Sequence, residues 1–155
     1  MPTGTGKTGV IAWLSMISAK GRTLVLTPWT NLRDQMVEAL KVGFWKSSEM
    51  SAPQLSVHSL LPSSAQNILA DPNVKVIVSS LAALTDLRRE DEKSYKALKE
   101  MIDLVIVDEG HYEPAVEWGK SVKGLSKPTV LMTATPYRND LKLFHISDPK
   151  QSVWQ

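Results

Sequence analysis

The sequence predicts an α/β fold, a mostly parallel sheet flanked by helices, and two observations carry that expectation. Four short runs rich in β-branched and aliphatic residues are apolar without alternation: TLVLT (Thr23 to Thr27), VKVIVSS (Val74 to Ser80), LVIVD (Leu104 to Asp108) and TVLMTAT (Thr129 to Thr135). Strands covered on both faces read this way, and such strands belong to parallel sheets. Between the runs lie helical repeats, and alternation of strand with helix implies right-handed crossovers.

Taken in order, the first helix follows GTGKT and presents Val10, Ile11, Leu14 and Ile17 on one face. The second carries Leu32, Met36, Leu40 and Phe44, with Asn31 a candidate cap at its start. SAPQLSVHSLLPSSAQN is the most loop-like stretch, with LSVHSL inside it a weaker strand candidate. RREDEKSYKALKE is the densest in charge and reads as the solvated side of one helix whose buried face holds Tyr95, Leu98 and Ile102. LFHIS is a second weak strand candidate.

The 155 residues suit one domain with a sizeable core, and 43% apolar with 22% charged is an ordinary globular composition. Eighteen Lys and Arg against sixteen Asp and Glu leave a formal charge of +2, too small a surplus to indicate a nucleic-acid partner by itself. The absence of cysteine excludes disulfides, thiolate metal sites and a cysteine nucleophile. No secretory pattern opens the sequence and no apolar run reaches a spanning length, so the expectation is an intracellular protein without a membrane segment.

In an open α/β sheet, ligands bind outside the carboxyl ends of the strands. LVLTPWT, VIVSSL, LVIVDEGH and VLMTATP all end in polar or turn-forming residues that converge on that edge. GTGKT, at the mouth of an apolar helix, has the composition of a phosphate-cradling loop. Gly4 and Gly6 would let the backbone curl so that successive N–H groups point at phosphate oxygens, with Thr5 between them a nucleotide-binding position. Lys7 would reach the β and γ phosphates, and the Thr8 hydroxyl would ligate Mg2+. The full pattern G-x-x-x-x-G-K-[ST] has Met1 in place of its first glycine. Downstream, Asp108 would hold Mg2+ and Glu109 would orient and deprotonate a water. An acidic pair at a strand end can also cap the next helix, and His111 alone reads as a surface or capping histidine.

In order, PTGTGKT, VLTPWTNLRDQ, VIVSSLAAL, VIVDEGH and LMTATPYR resemble the successive motifs of the first motor lobe of superfamily two helicases and translocases. That lobe is a RecA-like P-loop NTPase domain. TATPYRND is more similar to the type III restriction branch than to the DEAD-box RNA helicases. The resemblance implies ATP as the nucleotide, used with Mg2+ at Lys7, Thr8, Asp108 and Glu109. It implies that Thr133, Ala134 and Thr135 form the element that links the acidic box to movement, with His111 as its partner. It places Thr27, Pro28, Trp29 and Thr30 in an element gripping one strand's sugar-phosphate backbone, with Ser79 and Ser80 in a second.

Trp29 and Thr30 stand where the DEAD-box pattern has Thr and Arg, so the usual arginine contact is not implied, and Trp29 either stacks on a base or packs under the loop. Arg138 reads as structural or as a lobe-interface residue. DNA is the expected partner, with RNA as the alternative; another P-loop ATPase or kinase and a nonhydrolysing binding module are the competing readings. The resemblance further predicts that residues 1–155 are part of a helicase ATP-binding domain, without the second motor lobe and without the strand that precedes the phosphate loop. Lacking that strand, the sheet is expected to split or to close on another neighbour, with low stability of the isolated chain.

Overall fold

The structure, a computed structural model, describes residues 6–17, 21–49, 51, 56–109 and 116–133. Along the chain these form α1 (Lys7–Ile17), β1 (Arg22–Thr27), α2 (Thr30–Glu38), a π-helical turn (Ala39–Gly43) and α3 (Phe44–Ser47). There follow β2 (Val57–Ser59), a 3-10 turn (Pro62–Ser64), α4 (Ala65–Ala70), β3 (Val76–Ser80), α5 (Leu81–Glu90) and α6 (Glu92–Met101). β4 (Ile102–Asp108), α7 (Val116–Gly124) and β5 (Thr129–Met132) complete the order.

The five strands make one parallel sheet in the order β2-β3-β1-β4-β5. Successive side chains of a strand point to opposite faces, and the burial follows that rule. Leu24, Leu26, Ile77, Val105 and Val107 enter one core. Val25, Val76, Val78 and Ile106 enter the other. On the first face α4, α5, α6 and α7 contribute Ile68, Leu84, Leu98 and Val122; on the second α1, α2, the π turn and α3 contribute Ile11, Met36, Leu40 and Trp45. Helices therefore cover both faces, as the unbroken apolar runs require.

The four-residue spacing of Leu32, Met36, Leu40 and Phe44 has a structural counterpart. An α-helix turns once per 3.6 residues, so a strict repeat of four drifts around it. The wider π turn takes up part of that drift, and the backbone stays right-handed helical from α2 through to α3. Trp45 is the large side chain buried there, and its indole N–H donates to the Leu40 carbonyl at 2.8 Å.

Several boundaries differ from expectation. β2 is a strand of three residues within LSVHSL. β3 begins at Val76, two residues after the run that suggested it. β4 begins at Ile102, because its backbone pairs with Arg22; Ile102 therefore belongs to the sheet and not to the buried face of a helix. The charged segment is two helices. Asp91 divides them, accepting from the Ser94 hydroxyl at 2.5 Å and N–H at 3.0 Å, bonds that hold its carboxyl below the ordinary carboxylate range. The apolar run beginning at Thr129 is a strand only to Met132. β5 pairs with β4 without a split, and among the described residues no strand lies on its other side; LFHIS lies outside the described residues.

α7, the helix after the acidic box, is anchored to α5 and α6 by buried polar groups. The Tyr95 hydroxyl donates to the Ser121 carbonyl at 2.6 Å, and Arg88 Nε donates to Ser121 Oγ at 2.9 Å. Burial raises the Tyr95 phenol above its ordinary value of 10.0, while the Arg88 charge opposes the rise. A proton held more tightly in the folded state contributes stability that is complete below the unfolded value and is lost as pH rises through the folded one. Tyr95→Phe is expected to cost about 1–2 kcal/mol at neutral pH. It should also make the alkaline loss of stability above pH ~10 shallower than in wild type, as measured by urea unfolding across that range.

Candidate functional site

α1 starts within the phosphate-loop pattern, at its lysine. Gly6 sits in the left-handed region at φ +83, and its carbonyl accepts the Val10 N–H at 3.1 Å to close the first helical turn. A Cβ at Gly6 would meet nothing within 4 Å, so the backbone angle, not space, selects glycine there. Lys7 and Thr8 are the first two residues of the helix, both half-buried.

At the end of β4, Asp108 and Glu109 are half-buried. The Glu109 N–H donates to Asp108 Oδ1 at 3.0 Å, and Glu109 takes φ +53, a left-handed value uncommon outside glycine. Lys7 Nζ forms an ion pair with Glu109 Oε1, the two side chains being 11% and 23% exposed. This pair closes a separation of 102 residues and brings the loop and the acidic box together. An ammonium, a hydroxyl and two carboxylates thus belong to one sheet edge. That donor set fits a nucleoside triphosphate with Mg2+, since Mg2+ is commonly held by one or two carboxylates together with substrate phosphates. Among the described residues no three His, Cys, Asp or Glu gather into a metal cage.

The register lines the other strand ends up beside this edge. Thr27 lies opposite Ser80 across β1 and β3, and Asp108 opposite Met132 across β4 and β5. Thr27, Pro28, Ser79 and Ser80 are buried. Their hydroxyls have internal partners: Thr27 Oγ1 donates to the Trp29 carbonyl at 3.1 Å and Ser79 Oγ to the Ser80 carbonyl at 3.2 Å. Ser80 is the N-cap of α5, its Oγ accepting the Ala83 N–H at 3.1 Å. Trp29 and Thr30 are the exposed members, Trp29 at 50%. Trp29 therefore does not pack beneath the loop. It occupies the N-cap position of α2, where no side chain caps, so Asn31 lies inside the first turn and is not the cap.

Thr133 is half-buried just beyond β5. Gly4, Thr5, His111, Ala134, Thr135 and Arg138 lie outside the described residues. Two features escaped the reading of residue types. Arg33 is buried in α2, with Nε donating to Asp34 Oδ1 at 2.9 Å, although LRDQ looks like an ordinary exposed turn of helix. Gly9 abuts the Phe44 ring, and a glycine inside a helix was the available signal. The groove between α4 and α6, lined by Gln66, Leu69, Lys93 and Ala97 among others, lies on the sheet face opposite α1 and apart from these residues.

The parallel sheet with a phosphate-loop helix and an acidic box at its carboxyl edge defines the class: a RecA-like lobe of the superfamily two helicase type. Residues 1–138 match the family model of the type III restriction enzyme res subunit, and the chain belongs to that family. No curated protein sequence matches it.

Among solved structures the chain is similar to the Pyrococcus furiosus Hef helicase domain, with TM-score 0.65, 21% identity, and 87% of this chain and 29% of that one covered. It is similar to the Mycobacterium smegmatis helicase Lhr bound to ssDNA and AMP-PNP, with TM-score 0.63, 21% identity, and 86% and 20% covered. A hypothetical ATP-dependent RNA helicase from Sulfolobus tokodaii gives TM-score 0.62, 22% identity, and 88% and 40% covered. The chain thus spans well under half the length of each of these structures.

Ser80 and Thr30 should separate in a stability measurement. Ser80→Ala removes a helix cap and is expected to cost about 0.5–2 kcal/mol. Thr30→Ala, at an exposed first-turn position, should stay within about 0.5 kcal/mol of wild type. Denaturant midpoints at unchanged slope are the check.

Proposed function

We propose that this chain is the ATP-binding lobe of a nucleic-acid-dependent ATPase, a helicase or translocase that couples hydrolysis to movement along DNA, with RNA as the other candidate track. The observation that carries this reading is the pairing of Lys7 with Glu109, which joins the two halves of a nucleoside triphosphatase across the sheet edge. In this role Lys7 leaves Glu109 and turns to the nucleotide's phosphates. Thr8 and Asp108 would hold the metal, and Glu109, freed from Lys7, would orient a water and accept its proton. When bound, ATP with Mg2+ supplies the transferable phosphoryl group and the cation that offsets its charge.

Nucleic acid is assigned to the strand-end element, where Trp29 offers an exposed ring and the α2 N-terminus offers backbone N–H groups. Family membership and the helicase folds among its structural relatives support this assignment. A second motor lobe in the full-length protein is the proposed source of the arginine that completes the transition-state contacts, a contribution of about 10³–10⁵ in rate in related systems.

Hydrolysis by the full-length protein, with and without single-stranded DNA, double-stranded DNA and RNA, tests the proposal. Stimulation by nucleic acid is expected; binding of nucleotide without turnover would point to a nonhydrolysing module instead. Lys7→Ala should weaken nucleotide binding about ten- to a hundredfold, the value of losing one charge-assisted contact. Glu109→Gln should keep binding and lower turnover about 10²- to 10⁴-fold; equal hydrolysis by this variant and wild type would remove Glu109 from the water-activating role. Trp29→Ala should weaken single-stranded DNA binding by about 1–3 kcal/mol while leaving nucleotide affinity near wild type.

A further inference from the structure

We infer that Phe44 is a positioning residue for the nucleotide loop, acting through Gly9, and that the helix delivering it links the loop to the strand-end element at Trp29. The inference rests on the nucleotide-site reading proposed above. Gly9 follows Lys7 and Thr8 directly, inside the first turn of α1. Glycine within a helix is about 1 kcal/mol less favourable than alanine, so its presence calls for a packing reason. The reason is contact: a Cβ at Gly9 would lie 2.8 Å from Phe44 Cε2 and 3.2 Å from Cζ. The first turn of α1 and the Phe44 ring therefore meet with no slack, and α1 cannot move toward α3 unless the ring moves.

The ring is itself held. Phe44 packs edge-on to Trp45, with centroids 4.9 Å apart and planes at 76°. Trp45 is buried and tied to the Leu40 carbonyl across the π turn. That turn sets the direction of Phe44, because one residue more or fewer in a helix rotates everything after it by about 100°. A regular α-helix here would swing the ring off Gly9. The same helical element starts at Thr30, directly after the exposed Trp29, and is right-handed helical through to α3. One end thus borders the proposed nucleic-acid element and the other presses on the residue beside Thr8. Displacement of the α2 N-terminus reaches the nucleotide loop through a single piece of secondary structure, and the resulting coupling is reciprocal between the two ligands.

The test is titration of the full-length protein with a fluorescent ATP analogue, with and without single-stranded DNA, for wild type, Gly9→Ala, Phe44→Ala, Phe44→Leu and the Gly9→Ala/Phe44→Ala pair. Gly9→Ala and Phe44→Ala are each expected to weaken nucleotide binding about tenfold, within the range that small misplacements cost. Phe44→Ala should also abolish the effect of DNA on nucleotide affinity, and Phe44→Leu should retain most of both. The double variant should lose less than the product of the single losses, since the methyl added by Gly9→Ala fills space that the ring has vacated. Leu84→Ala, in the core on the opposite face, lowers stability and should leave nucleotide affinity unchanged.

Wild-type affinity in both Gly9→Ala and Phe44→Ala overturns the inference. So do strictly multiplicative losses in the double variant, or an equal loss in Leu84→Ala. A wild-type protein that binds no nucleotide overturns the site reading beneath it, an outcome distinct from those three.

Discussion

The hydrogen-bonded ladder that joins β1 in parallel to both β3 and β4 sets where everything else can be. Parallel strands end on the same edge, and the pairing of Thr27 with Ser80 and of Leu26 with Val107 brings those ends level. β5 continues the alignment by pairing Met132 with Asp108. Segments far apart in sequence therefore deliver their last polar residues to one line. A one-residue slip in any of these pairings would turn every side chain of the strand to the opposite core. Leu24 and Leu26 on one face, and Val25 on the other, resist that slip because each is fully buried where it stands.

Covering both faces has consequences for the chemistry. α1 reaches its place through Ile11 and Ala12 in the core shared with Met36 and Trp45. Only with α1 packed there can Lys7 meet Glu109, the pair on which the proposed function depends. On the other face α7 is held by Tyr95 and Arg88 through Ser121. Asp108 and Glu109 thus stand at the end of β4, which is paired on both sides by β1 and β5. Glu109 holds a left-handed backbone, φ +53, at the position where its side chain pairs with Lys7.

Much of this was legible in residue order. Unbroken apolar runs announced strands buried on both sides, and the motif order placed Lys7 and Glu109, which the structure pairs, in the two halves of the proposed nucleotide site. Boundaries were less legible, for physical reasons. Ile102 suits the buried face of a helix as well as it suits a strand, and only its pairing with Arg22 decides between them. Asp91 sits among charges that look alike in sequence, yet the two bonds it accepts from Ser94 end one helix and begin another. Within the strand-end elements, composition could not separate hydroxyls that serve the fold from groups left exposed. Ser80 caps α5 and Thr27 bonds the Trp29 carbonyl, whereas Trp29 itself faces outward.

By itself, then, the sequence determined the fold class, the family resemblance and the residue types gathered at the carboxyl edge, because these depend on local pattern and on motif order. Tertiary structure alone decided which of those residues meet and which are already engaged. The ion pair between Lys7 and Glu109 spans 102 residues, and the contact of Phe44 with Gly9 depends on the direction in which a π turn aims a ring. Such contacts arise from the packing of whole elements against one another, and no short stretch of the chain contains that information.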